Sequence, residues 1–357
     1  MLAQILQPIP LVLLVVITIY TLVLLFLLKR LKANKAVATT SIAKANKAVA
    51  VNLSHSNYAD EAMRLNQTFR KFVPKQFVDH FAKHGSDTLE LGRADEDELA
   101  ILFTDIRGFT GLSENMTPQE LMNFLNSYFL RMNDPIHQNN GFIDKFIGDA
   151  VMALFDRPTG TNADKAQDAI RAALGLRAAI VLYNSHRAKC HYPAVNIGIG
   201  VHFGPVIIGT VGSEDRMDTT VIGDTVNIAY RLETLAPKYF TDIVVSEETL
   251  KQADAEGVFV YRILDWVRVK GRQTPIAIYE VIDHQDEAVK ELKLANAHYI
   301  ELGITYRKQQ KWDLATEQFT LAHDVNPQDP LVTHHLQQCE LLKNSQLDPD
   351  WDGSIRF

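Results

Sequence analysis

The chain has 357 residues, 46% hydrophobic and 22% charged, with a formal net charge of −7, which fits one ordinary globular domain with additions. The charge is uneven: the residues before Asp60 contain no acid and carry +6 from Lys29, Arg30, Lys32, Lys35, Lys44 and Lys47, leaving −13 for the rest. An acidic globular part without a basic patch excludes a nucleic-acid binder.

Residues 11–28 are uncharged and long enough to cross the hydrocarbon core as a slightly tilted helix. Basic residues follow this stretch and none precedes it. The positive-inside rule then sets the N-terminus outside and everything after Lys29 in the cytoplasm. The competing reading is a cleaved signal peptide with Ala36-Val37-Ala38 as its cleavage site. Against it, the apolar core is too long, no basic residue precedes it, and lysines intervene.

Residues 31–72 are rich in Ala, Lys and Asn, and lack Gly and Pro, so one continuous helix is expected. The hexapeptide Ala-Asn-Lys-Ala-Val-Ala occurs at Ala33 and again at Ala45, an offset of no standard repeat, and reads as local bias. A heptad seam takes in Ile42, Ala45, Val49, Ala59 and Met63, but also Asn52, Ser56 and Asn66. A weak parallel helical pair and a simple tether both fit that pattern. In the run Phe72-Val73-Pro74-Lys75-Gln76-Phe77 the proline ends this helix and starts a short second one.

From about Glu96 the pattern alternates. Strands are expected at 98–104, 142–147, 150–155, 195–203, 206–211, 242–245, 258–268 and 275–281, and helices at 117–138, 162–188 and 224–236. Only Gly148-Asp149 separates the second strand from the third, a hairpin signal that makes the pair antiparallel and rules out a purely doubly wound sheet. After a polar link at 283–287, the positions Tyr299, Leu302, Gly303, Tyr306, Ala315, Phe319, Ala322 and Pro327 match the tetratricopeptide pattern. One such unit cannot bury its own faces. It must pack on a helix at 332–343, on the preceding domain, or on a protein partner. The tail after Asn344 is expected to be disordered. Cys190 and Cys339 lack metal-ligand spacing and read as free, packed thiols of a reducing compartment.

The chemistry gathers at two strand ends. The apolar run Leu99-Ala100-Ile101-Leu102-Phe103 leads through Thr104 to Asp105, with Gly108 behind it and a helix-like segment from Thr117. Glycine permits close backbone approach to a ligand, and helix N-termini favour phosphate. The second strand end delivers Asp149. A lone strand-end aspartate is more often a turn residue. Two together suit hard divalent cations and a phosphate ester. Further on, Asn227 and Arg231 lie four apart on a helix that starts at Asp224, so they share one face.

The runs Phe103-Thr104-Asp105-Ile106-Arg107-Gly108-Phe109-Thr110, Lys145-Phe146-Ile147-Gly148-Asp149 and Ile222-Gly223-Asp224-Thr225-Val226-Asn227-Ile228-Ala229-Tyr230-Arg231 resemble the three signatures of the class III nucleotidyl cyclases. The resemblance implies an α+β fold: a mixed, mainly antiparallel sheet flanked by helices on a ferredoxin-like core. It implies ATP or GTP as substrate and two Mg²⁺ or Mn²⁺ ions held by Asp105, Asp149 and the Ile106 carbonyl. Cyclisation needs the ribose 3′-oxygen to attack the α-phosphorus as pyrophosphate leaves. By resemblance Asn227 orients the ribose and Arg231 stabilises the developing charge. Lys270 and the Gly108-Phe109 turn would meet the phosphates. For Arg231, pairing with Glu233 or solvent is the bland alternative, and for Lys270 a solvated turn.

Adenine offers an acceptor at N1 and a donor at N6, and guanine the reverse. Lys145 is similar to the family's purine-reading lysine, where a guanylyl cyclase would have Glu. Thr220 stands at the second reading position, where many adenylyl cyclases have Asp and guanylyl cyclases typically Cys. Its hydroxyl can accept or donate. The resemblance, together with the apolar stretch and its basic flank, therefore implies a single-pass adenylate cyclase of the bacterial inner membrane with a cytoplasmic catalytic domain. It also implies a homodimer in which the aspartates of one copy face Lys145, Thr220, Asn227 and Arg231 of the other. A guanylate cyclase and a non-catalytic scaffold acting through the helical repeat are the rival readings. The expected divisions are 1–30 anchor, 31–94 helical linker, 95–283 catalytic domain, 284–343 helical repeat and 344–357 tail.

Overall fold

The computed structural model describes residues 8–69, 74–77, 92, 94–213, 215–254 and 257–357, so Phe72 and Val73 of the proline-containing run lie outside the described residues. The chain forms two compact units, Met1–Phe72 and Val73–Phe357. In the first, helix α1 (Pro8–Phe69) runs unbroken through the apolar stretch and the Ala/Lys-rich segment, as the lack of Gly and Pro predicts. Within it, Leu14–Ser41 is long and apolar enough to cross a membrane by length and composition.

The second unit is built on a sheet of strand order β2-β3-β1-β4-β6-β8-β7-β9, with β5 paired to β4. The strands are β1 (Ala94–Ile106), β2 (Phe142–Ile147), β3 (Ala150–Phe155), β4 (Ile197–Gly212), β5 (Met217–Ile222), β6 (Ile243–Ser246), β7 (Tyr261–Arg268), β8 (Ile276–Val281) and β9 (Ile355–Arg356). All pairings are antiparallel except β4 with β6 and β7 with β9. Central β1 is buried on both faces, so its sequence is a continuous apolar run rather than an alternation. Its even-numbered residues Ala100, Leu102 and Ile106 enter one core, and Leu99, Ile101 and Phe103 the other.

On the first face lie α2 (Phe109–Ser113), α3 (Pro118–Gln138) and α4 (Asn162–Lys189). Reciprocal capping boxes, Thr117 with Glu120 and Thr161 with Asp164, fix the starts of α3 and α4. On the other face α5 (Asp224–Leu235) packs close to β4 at Gly200, where a Cβ would overlap the α5 backbone. The short α6 (Glu247–Gln252) follows β6. Helices α7 (Glu287–Lys308), α8 (Trp312–Val325) and α9 (Pro330–Lys343) share a core with Val244, Leu264, Ile276 and Ile278 of the sheet. The repeat-like residues thus pack both on α9 and on the preceding domain, two of the three expected solutions. A Cβ at Gly303 would overlap the Phe319 ring, which explains the small residue there.

Several expectations differ. The segments 195–203 and 206–211 form one strand, because Gly204-Pro205 continues opposite Leu99 and Glu98 without a turn. Strand β5 was not expected from its polar run Asp218-Thr219-Thr220; it forms by hairpin pairing with the protruding end of β4. The tail is ordered rather than disordered. Ile355 and Arg356 pair with Val267 and Arg268, Asp352 pairs with Arg268, and Trp351 stacks on Trp312 at 5.8 Å. It covers the β7 edge, which would otherwise present unpaired backbone. Cys339 is buried as expected, but Cys190 is exposed just beyond α4.

Candidate active site

Strand β1 carries Asp105 and Ile106 to its C-terminal end, and the β2–β3 turn brings Asp149 beside them. Gly148 sits at φ 65°, the left-handed conformation the turn requires. The Ile106 N–H donates to Asp105 Oδ1 at 3.0 Å and to Asp149 Oδ2 at 3.2 Å, so two carboxylates converge on one donor. Burial, and then the hydrogen bond and charge of Asp105, push Asp149 up to about 7. Among the described residues no group of three or more His, Cys, Asp or Glu side chains could hold a metal. A cation bound by this pair must therefore complete its shell with backbone, water or substrate oxygens. Gly108, at φ 67°, turns the chain into α2, where Phe109 packs half-buried on the core.

A second cluster forms where the β4–β5 arm passes β2. Lys145 Nζ lies 3.6 Å from Asp144 Oδ2 and 3.5 Å from Asp218 Oδ2, and Thr220 Oγ1 donates to Asp144 Oδ2 at 3.2 Å. Lys145 and Thr220, identified separately in the sequence, thus meet through Asp144, which sequence reasoning missed. The Asp144 side chain is only 1% exposed, and burial pushes it up to about 6 despite Lys145. A register shift in the β2–β3 ladder between Ile143 and Lys145 re-aims it, and the sequence carries no signal of that shift.

A third cluster forms on α5. Asn227 is exposed and Arg231 half-buried, one turn apart. Glu233 does not pair with Arg231; it bonds Arg107 Nη1 at 3.3 Å, tying the end of β1 to α5. Arg231 has no carboxylate partner among the described residues. The loop with Lys270 lies against it: a Cβ at Gly271 would sit 3.9 Å from Arg231 Nη2, and Arg272 Nε lies 3.7 Å from Asp224 Oδ2 at the start of α5. Lys270 itself is exposed. No hydrogen bond or ion pair joins Asp105 or Asp149 to Asn227, Arg231 or Lys270 among the described residues.

A mixed sheet flanked by helices, with paired strand-end aspartates and an Asn–Arg helix face, is the arrangement of a nucleotidyl cyclase domain. Residues 92–283 match the family described as the adenylate and guanylate cyclase catalytic domain, and the chain belongs to that family. It is 42% identical over 219 residues to an adenylate cyclase of Anabaena cylindrica, covering 60% of this chain and 42% of that one. It is 34% identical over 276 residues to the terminal-differentiation-specific adenylate cyclase of Dictyostelium discoideum, covering 77% of this chain and 13% of that one. The chain therefore spans less than half the length of these curated relatives. A solved bacterial light-regulated adenylyl cyclase is similar with a TM-score of 0.55 at 27% identity, over 66% of this chain and 67% of that one.

Proposed function

We propose that this chain is a membrane-anchored adenylate cyclase that converts ATP to 3′,5′-cyclic AMP and pyrophosphate at sites shared between two copies. The observation that carries the reading is the convergence on one N–H of Asp105, at the end of β1, and Asp149, on the β2–β3 hairpin that also bears Lys145. The relatives named adenylate cyclase support it.

The donor set fits hard cations, because two neighbouring carboxylates of which one is held up near 7 repel each other until a cation joins them. Asp105, Asp149 and the Ile106 carbonyl would hold two Mg²⁺ or Mn²⁺. When bound, these supply an acidified ribose 3′-hydroxyl and neutralise the triphosphate. The remaining work belongs to the chain. Asn227 orients the ribose, and Arg231 stabilises charge as the 3′-oxygen bonds to the α-phosphorus and the bond to pyrophosphate breaks. Lys270 and the backbone at Gly108 and Phe109 hold the phosphates. Lys145 donates to adenine N1, and Thr220 accepts from N6.

The dimer reading rests on Asn227 and Arg231 having no link to the aspartates of their own chain. Exposed apolar side chains on the strands around the site, among them Phe146, Ile147, Ile207, Met217 and Ile222, also support it. We read α1 as anchor and linker, with the catalytic unit cytoplasmic. We read α7 and α8 as a tetratricopeptide-like unit that covers the β7–β8 face; a protein partner would meet only its outer surface.

The test is turnover by the full chain in detergent, with ATP and GTP compared in Mg²⁺ and in Mn²⁺. The expected product is cyclic AMP. Lys145→Glu is expected to lower kcat/KM for ATP by about tenfold and to narrow the ATP-over-GTP preference. A folded chain that turns over neither nucleotide would favour the scaffold reading.

A further inference from the structure

The cluster around Lys145 contains one member that no role above uses. Asp144 precedes the lysine in sequence, and adjacent residues on a regular strand point to opposite faces. Here they do not: the ladder shifts register between Ile143 and Lys145, and Asp144 and Lys145 approach to 3.6 Å on one side. A bulge re-aims a side chain in this way, commonly next to functional sites. Opposite them, Asp218 and Thr220 are two apart on β5 and share a face. Asp144 Oδ2 accepts the Thr220 hydroxyl proton at 3.2 Å, while Oδ1 is buried without a partner. A half-satisfied buried carboxylate is a poor stabilising device and calls for another reason to be there.

A hydroxyl has one proton and two lone pairs, so by itself Thr220 can serve either a 6-amino or a 6-oxo purine. An ionised carboxylate only accepts. With its proton given to Asp144, the Thr220 oxygen has only lone pairs left for a ligand. Building on the cyclase reading, we propose that Asp144 is a positioning residue that selects for ATP: it fixes Thr220 as an acceptor and braces Lys145 as a donor, so the pair matches a 6-aminopurine and repels a 6-oxopurine.

The test uses the full chain in detergent, with ATP and inosine triphosphate, which carries 6-oxo and lacks the 2-amino group. The unmodified chain prefers ATP. Asp144→Ala frees the Thr220 proton to donate to O6, and the ATP-to-inosine ratio of kcat/KM is expected to fall about tenfold. The change should lie in KM, with kcat within about twofold, since the base contact is made equally before and during reaction. Thr220→Ser should keep the ratio. In a Thr220→Val background Asp144→Ala should leave the ratio unmoved, because the hydroxyl it orients is gone. If Asp144→Ala does not fold, Asp144→Asn keeps the volume while adding a donor, and its ratio should still fall below that of the unmodified chain. An unchanged ratio, or an equal loss for both nucleotides, overturns the assignment and leaves the cyclase reading standing. No turnover of either nucleotide by the unmodified chain overturns both.

Discussion

Two ends of the second unit bury carboxylates and treat them in opposite ways. At the C-terminal layer each has a cation built in. Arg262 bonds Glu280 at 2.5 Å and Asp329 at 2.5 Å, with Asn296 and Lys293 completing the network. Arg307 pairs with Asp265, which also accepts from Tyr239 at 2.8 Å. Burial alone would raise Asp265 and Asp329; Arg307 and Arg262 with their neighbouring donors hold both below the usual carboxylate range. At the site the balance is reversed. Burial pushes Asp144 up to about 6, and Asp149 and Glu233 up to about 7; Lys145 and Arg107 offset it only in part for Asp144 and Glu233, and Asp105 adds to it for Asp149. The difference separates a scaffold, which is electrostatically complete, from a site that, on the proposed reading, a ligand and a second copy would complete.

The comparison breaks if the site aspartates turn out to be structural. Asp105→Ala is expected to cut cyclic AMP formation at least 10³-fold, roughly 4 kcal/mol of barrier, while the melting temperature stays level or rises. Arg307→Met should do the converse. It strands Asp265 in a buried position and should cost about 3 kcal/mol in denaturant unfolding. Any loss of turnover should follow the loss of folded protein.

Acid sharpens the contrast. An unfolded histidine takes a proton near 6.5, while burial holds His335 down to about 3, so the α9 contact loses stability as pH falls below 6.5. The lowered Asp265 and Asp329 act in the same direction at lower pH. Asp144 and Glu233 act oppositely, since their raised values make the contribution fully present below about 4 and lost as pH rises through 6 to 7. Amide hydrogen exchange should show α7–α9 loosening between pH 6.5 and 5 while β1 to β3 stay protected. The opposite order would contradict this division.

The central fold was legible because its signals are local. A doubly buried strand reads as an apolar run, and a two-residue Gly-Asp link reads as a hairpin. The site aspartates were legible for the same reason, as the ends of such strands. What escaped depends on distant pairing. Strand β5 is polar and forms only because β4 protrudes to meet it. The tail orders only because β7 would otherwise be an open edge. Asp144 drew no reading because the bulge that turns it inward leaves no mark in the composition. Glu233 looked free to pair with Arg231 on its own helix, yet Arg107, 126 positions away, takes it.

The shared site is the claim on which the rest depends. Asp105→Ala and Arg231→Ala, carrying different affinity tags, should each be inactive as purified homodimers. Co-expressed and purified through both tags in turn, they form mixed dimers in which one of two sites keeps every residue, and about half of the unmodified cyclic AMP rate should return. Mixed dimers that are folded and nucleotide-bound yet as inactive as either parent would contradict the shared site.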